Sequence, residues 1–328
     1  MLWSKNGQDA DLRVAFALGV ATAILSGCGG TGIPTPGTIT QSASVQHDRA
    51  GSWMLPEAKR QNLLYVTLPY EHSVNIYTFP GGHLVGQITD DNYPNTVCSD
   101  KMGNVWISSE VSNYYAQFNE YTHGGTTPIA TLDDKSGNPS ACSVDPLTGN
   151  LAVANGCCDS NHVVDIYVGA TGTPQVYNPK DLFEINAITY DSTGDLFISG
   201  NISVYLTGTD WFRYGGPGFR TFRVKRPRTY PHEGIFWDGR YLTEVAQPYL
   251  IHRYAIVDRK AKYVGSLAFN GLRAWAFAIE KANLAVADED SAYNGVIYVF
   301  KYPAGGEPTH TINLPEDAAR IAISVARP

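Results

Sequence analysis

At 328 residues the chain is long enough for a substantial core, in one large repeat domain or two ordinary ones. Only 17% of residues are charged, while tyrosine, glycine and proline number 20, 32 and 19, a balance that suits many short strands joined by tight turns and argues against a helical bundle. The formal charge of -7 offers phosphate backbones no whole-molecule attraction, so nucleic acid is not expected as a partner.

The first element is an apolar run over residues 14–25, too short for an ordinary membrane span and right for the core of a signal peptide. The leader before it is only weakly positive, because Lys5 and Arg13 are offset by Asp9 and Asp11. The run ends in Leu25-Ser26-Gly27-Cys28, which resembles a bacterial lipobox. That resemblance implies cleavage before Cys28, lipid on Cys28, and attachment to a membrane of the bacterial envelope. Gly29 in the next position implies onward export to an outer membrane or the cell surface. Residues 1–27 are therefore read as a lipoprotein signal peptide. Residues 28–50, with Gly29-Gly30-Thr31-Gly32 and Pro34-Thr35-Pro36-Gly37, read as a flexible tether, and 51–328 as the folded domain.

From residue 61 onward a turn followed by an apolar strand recurs six times: Asn62-Leu63-Leu64-Tyr65-Val66, Gly103-Asn104-Val105-Trp106-Ile107, Gly149-Asn150-Leu151-Ala152-Val153, Gly194-Asp195-Leu196-Phe197-Ile198, Gly239-Arg240-Tyr241-Leu242-Thr243 and Ala282-Asn283-Leu284-Ala285-Val286. The second turn residue falls at 62, 104, 150, 195, 240 and 283, a period close to 45 residues. Five copies follow another short strand that ends in an acid, Asp100, Asp145, Asp191, Asp238 or Glu280, and the acid with the following turn predicts a hairpin. Third strands such as Val163-Val164-Asp165-Ile166-Tyr167, and fourth strands such as residues 84–88, complete a four-stranded unit. Four strands per period is the mark of a propeller blade, so the fold class is all-β, a six-bladed β-propeller. The first copy lacks its leading strand, and Ile321-Ala322-Ile323-Ser324 supplies one that closes the ring beside residues 63–66.

The pattern of glycine or alanine, apolar, small, apolar, Asp, then Gly-Asn-Leu-x-Val-Ala resembles the NHL-repeat propellers, and the gluconolactonase and senescence-marker-protein group is similar. Loops leading into the innermost strands converge on one channel mouth, and the fifth residue before each hairpin acid is Asn95, Ser140, Asn186, Glu233 or Trp275. Glu233-Gly234-Ile235-Phe236-Trp237 is similar to a Glu-Gly-Pro-x-Trp stretch of the gluconolactonase-like group. The resemblance implies a divalent cation, calcium or zinc, held by Asn95, Asn186 and Glu233, which could polarise a lactone or ester. His232, beside Glu233, is a further binding candidate, able to act as base or ligand. No Asp stands at the five positions, Ser140 and Trp275 are poor ligands, and the common catalytic signatures are missing from the sequence. A plainer reading has Asn95 and Asn186 bonding backbone at the strand starts.

Beyond Cys28 the cysteines are Cys98, Cys142, Cys157 and Cys158, all expected toward one end of blades two and three. Disulfides are expected among them, in any of three pairings, with a zinc site as the alternative. Blades four and five are interrupted by an aromatic and basic stretch that carries Arg213, Arg220, Arg223, Lys225, Arg226 and Arg228. It reads either as an anion site for phosphate, carboxylate or acidic polysaccharide, or as an outer strand whose charges discourage edge pairing. Together these features predict an envelope-anchored, non-enzymatic propeller for a small ligand, glycan or protein, with a cation-dependent lactonase or esterase as the second reading. No cofactor is required by the first.

Overall fold

A computed structural model describes residues 51–327, apart from 91, 113–114, 157–161, 180–181, 204–205, 213–217, 222–233, 247–249, 259, 270–273, 275 and 290–293. The described residues fall within one compact unit, Asp48–Pro328. The apolar run and Cys28 lie outside the described residues.

Strands in the described residues pair into six antiparallel sheets, five with four strands and one with five. Their innermost strands are Ile321–Ser324 in blade 1, then Tyr93–Ser99, Pro139–Val144, Glu184–Tyr190, Ile235–Trp237 and Ala276–Glu280 in blades 2 to 6. In blades 2 to 6 each leads through a hairpin into the strand carrying the repeated apolar motif, and the remaining strands step outward in chain order. The ring closes as the sequence predicts: Ile321–Ser324 lies antiparallel to Leu63–Leu68, with Leu63 opposite Ser324 and Val66 opposite Ile321. One strand goes beyond that expectation. Trp53–Met54 pairs with Leu84–Thr89 and gives blade 1 a fifth strand on its outer edge.

A four-stranded sheet cannot bury both faces alone, so each blade needs two neighbours. Successive residues point to opposite faces, and both sets in the repeated motif are apolar. In Leu63–Leu68 the alternation assigns Leu63 and Tyr65 to a core shared with Val97, Val105 and Ile107 of blade 2. It assigns Leu64, Val66 and Leu68 to a core shared with Ala285, Ala287, Ile297 and Val299 of blade 6. Four further clusters occupy the remaining gaps between neighbouring blades, so the apolar core is a circle of six interblade layers. The regular period is the sequence image of that circle.

The seam is clasped by polar contacts. Ser324 Oγ donates to the Gly103 carbonyl, and His123 Nδ1 lies 2.6 Å from Ser324 Oγ while its Nε2 lies 3.0 Å from the Gln61 carbonyl. Ala326 N donates to Asn62 Oδ1 at 3.0 Å. A side chain at Gly103 would bring its Cβ to 2.6 Å from the Val325 carbonyl, so this turn passes close against the closing strand.

Candidate functional site

The channel enclosed by the innermost strands has a cavity of about 780 Å³ that opens at the hairpin mouth. Four of the repeat acids stand there, and their oxygens are engaged by their own turns. Asp100 Oδ1 accepts the backbone N–H groups of Met102 and Asn104, both at 2.8 Å. Asp145 Oδ1 accepts Leu147 N, Asp191 Oδ1 accepts Thr193 N and Asp195 N, and Asp238 Oδ1 accepts Arg240 N and Tyr241 N. The glycine that follows in each turn has φ between 74° and 96°. An acid accepting from the backbone two residues on, with glycine supplying the left-handed position, is a turn device. These carboxylates build the hairpins.

At the opposite mouth, where the innermost strands begin, the pairing is irregular in a repeated way. In blade 2 the register jumps between Pro94 and Val97, so Asn95 and Thr96 face one residue, Ser108, whose Oγ accepts Thr96 N at 2.8 Å. In blade 4 it jumps between Ile185 and Ala187, leaving Asn186 unpaired, and in blade 3 Ser140 is skipped between Pro139 and Ala141. The three described members of the sequence-derived set are thus bulge residues, a device that re-aims side chains at the rim of a sheet.

Asn95 Nδ2 donates to Glu110 Oε1 at 2.7 Å and to the Pro139 carbonyl at 3.1 Å. Ser140 Oγ lies 2.6 Å from the Ile185 carbonyl and 3.2 Å from that of Ala154. Asn95 therefore takes the backbone-bonding role of the plainer reading, and both residues stitch one blade to the next. Glu233, His232 and Trp275 lie outside the described residues.

Sequence reasoning missed the sixth position. Val325 occupies the place of the hairpin acid in blade 1, and the fifth residue before it is Arg320. Its Nε donates to the Ser140 carbonyl at 3.0 Å, its Nη2 to the Asn186 carbonyl at 3.2 Å and its Nη1 to the Ala319 carbonyl at 2.8 Å. A guanidinium presents rigid, planar donors, so one side chain can join three carbonyls from blades 1, 3 and 4. It also puts a permanent positive charge among the groups to which the resemblance assigns a divalent cation. Of the implied set Asn95, Asn186 and Glu233, the first turns its amide N–H to Glu110 and the Pro139 carbonyl, and Glu233 lies outside the described residues. Among the described residues, no three His, Cys, Asp or Glu side chains gather into a metal-holding group.

Arg320 lines the channel on one side and, on the other, a cleft of about 460 Å³ at the starts of blades 1 and 2. Asn95, Glu110 and Arg320 line this cleft together with Tyr70 and Tyr93. Tyr70 is 81% exposed and Tyr93 45%, their rings meeting edge to face at 6.4 Å. The turn bearing Tyr70 is fixed: Glu316 Oε1 accepts Tyr70 N at 2.9 Å and Glu71 N at 3.1 Å. His72, at φ 49°, places Nδ1 2.8 Å from the Asn92 carbonyl and packs its ring 4.8 Å from that of Tyr93. Burial raises the Glu110 carboxyl above the usual carboxylate range, and the Asn95 amide partly offsets this. The result is two exposed aromatic surfaces, held by short-range bonds, beside an amide, a carboxyl group and a guanidinium.

Of the cysteines, Cys98 and Cys142 form a disulfide with Cα atoms 5.7 Å apart, joining the innermost strands of blades 2 and 3. Cys157 and Cys158 lie outside the described residues. Of the arginine-rich stretch only Arg220 is described. It is exposed on Arg220–Thr221, the outermost strand of blade 4, opposite Trp211. Arg213, Arg223, Lys225, Arg226 and Arg228 lie outside the described residues.

No family model and no curated protein matches this sequence. Solved structures do match, 1216 chains in all, so the architecture is a common one. A chain of a crystal structure of a nidogen/laminin complex is similar with a TM-score of 0.61 and 11% identity, over 81% of this chain and 100% of that one. At that identity the likeness shows the propeller fold and carries no chemistry.

Proposed function

We propose that this protein is a non-enzymatic recognition propeller, and that its cleft beside Arg320 binds a glycan or similar polyhydroxylated ligand. The observation that carries the reading is the fixed, exposed pair Tyr70 and Tyr93 above polar groups. Aromatic faces cover the apolar C–H surface of a sugar ring, while carboxyl, amide and guanidinium groups bond its hydroxyls. The hairpin mouth does not favour a competing reading, because Asp100, Asp145, Asp191 and Asp238 are held by their own turns and Glu280 pairs with Lys281 at 3.4 Å.

The test is calorimetric titration of the protein with a panel of neutral and anionic oligosaccharides, with Tyr70→Ala and Tyr93→Ala measured beside it. Each substitution should weaken binding by about tenfold, equivalent to about 1.4 kcal/mol, and leave the melting temperature within a degree or so. Saccharide binding that neither variant changes would sink the cleft as its seat.

We also propose that the propeller works outside the cytoplasm, tethered through lipid on Cys28. The Cys98–Cys142 disulfide supports an oxidising compartment, and the lipobox-like stretch supports the tether. Fatty-acid labelling and fractionation check this: Cys28→Ser should lose the label and move the protein from the membrane to the soluble fraction. Membrane association unaffected by that change would remove the anchor from the reading.

A further inference from the structure

Two carboxylates are buried together where blade 2 meets blade 3. Asp134 ends Pro128–Asp134, the outermost strand of blade 2, and Asp165 lies in Val163–Tyr167 of blade 3. Asn155, at the end of Leu151–Asn155, sits between them. All three are 0% exposed. Asn155 Nδ2 is 3.0 Å from Asp134 Oδ2 and 3.0 Å from Asp165 Oδ2, and Asp134 Oδ1 accepts Ser136 N at 3.0 Å. The remaining oxygens, Asp165 Oδ1 and Asn155 Oδ1, are buried without a hydrogen-bond partner, as is Asn138 Oδ1. Asn138 is tied to the same corner, since its carbonyl accepts Gly156 N at 3.1 Å.

Two carboxylates removed from water are costly unless a proton or a cation neutralises them. Burial, followed by the charge of Asp165, pushes Asp134 up to about 7, and burial raises Asp165 as well, against hydrogen bonds from Ser136, Asp134 and Asn155. An orphaned amide oxygen beside the pair is a second, separate cost. One change answers both. Turning the Asn155 amide end for end, an exchange of nearly isosteric O and NH2, puts Oδ1 at the position 3.0 Å from each carboxylate. An amide oxygen 3.0 Å from an oxygen of each carboxylate is compatible with all three ligating one ion at about 2.4 Å, the distance calcium requires. The donors are all hard oxygens, carboxylate and amide, with no sulfur or imidazole among them, which favours calcium over zinc.

We propose that Asp134, Asp165 and Asn155 form a calcium site that pins the outer strand of blade 2 to blade 3. It is separate from the channel mouth, shares no residue with the cation set implied there, and does not depend on the glycan reading.

The experiment uses the full chain, stripped with a chelator and titrated with calcium chloride, with binding read by calorimetry and stability by melting. Wild type should bind calcium and melt about 5 °C higher once calcium is 100-fold above its dissociation constant. Asp165→Asn, nearly isosteric, should lose that rise, and Glu233→Ala should keep it. Asn155→Asp adds a third carboxylate and should bind calcium about tenfold more tightly, while melting lower than wild type without calcium. The proposal is overturned if wild type shows no calcium-dependent rise, if the rise survives Asp165→Asn, or if Glu233→Ala is the change that removes it. Destabilisation by Asn155→Asp that is equal with and without calcium also overturns it, and would leave a carboxyl pair sharing a proton.

Discussion

The two mouths of the channel are built from the same repeats and have opposite chemistry. At the hairpin mouth the repeat is faithful: an acid, a left-handed glycine and a short turn recur, and the carboxylates are satisfied by neighbouring N–H groups. At the other mouth the innermost strands of blades 2, 3 and 4 begin with a bulge, and the residue at this position differs from blade to blade: Asn95, Ser140, Asn186 and, in blade 1, Arg320. Faithful repetition marks the positions that fold each blade. Variation at a fixed structural position marks those left to differentiate, because a bulge aims its side chain away from the ladder without disturbing the cores on either side. The Tyr70 and Tyr93 cleft lies at the variable mouth.

The sharpest way to break this contrast is to damage the faithful end. Asp191→Ala removes the acceptor of Thr193 N, Asp195 N and the Thr193 hydroxyl, at a residue only 5% exposed. Stranding those donors should cost about 2 kcal/mol, seen as a lower denaturation midpoint with unchanged slope. Ligand affinity at the cleft should be unaltered in the folded protein. If Asp191→Ala weakened ligand binding without lowering stability, the hairpin acids would be functional and the contrast would fail.

The variable end should respond the other way round. Arg320→Ala frees three carbonyls that channel water can reach, so its stability cost should be smaller, about 1 kcal/mol. It also removes the side chain that lines both cavities, so cleft affinity should fall more than tenfold. Arg320→Lys should rescue little, since an ammonium cannot span three carbonyls in a plane. Full affinity in Arg320→Ala would make the residue a strut and nothing more.

How far each feature could be read in advance follows from how local its cause is. The blades were legible because the motif from Leu63 to Val66 and its copies must be apolar on both faces to fill two interblade cores, and that demand recurs at each period. The upstream ring was legible at Asn95, Ser140 and Asn186 through their fixed distance from an acid. Arg320 escaped because Val325 stands where the acid should be, so counting from acids stopped at five blades. Counting from the closing strand instead reaches it. Tyr70 and Tyr93 carry no pattern at all, because their exposure depends on a turn held by Glu316 from the far end of the chain. Asp134 and Asp165 look like surface acids on separate strands, and only the packing of blade 2 on blade 3 buries them together. The disulfide partners were on the right strands, but only the three-dimensional arrangement selects Cys98–Cys142 among the pairings.

The smallest expected effect tests the seam itself, where the closing strand meets the first hairpin turn. Burial lowers the His123 pKa below its ordinary 6.5, against the opposing pull of the Gln61 and Ala58 carbonyls. The folded protein therefore favours neutral imidazole, and the unfolded chain takes up the proton more readily. Stability linked to His123 is fully present above pH 6.5 and is lost as pH falls through the lower folded value. Its ring is half-buried, so the loss should be slight, about 1 °C in melting temperature between pH 7.5 and 5.5. His123→Asn should remove that increment and leave the rest of the pH profile in place. Because Ser324 links this ring to Gly103 of the neighbouring blade, the same acidification should first speed amide exchange in Ile321–Ser324. Exchange that instead quickens first around the Tyr70 turn would place the weakest point of the ring at the variable mouth, where Glu316 carries the turn, and not at its closing strand.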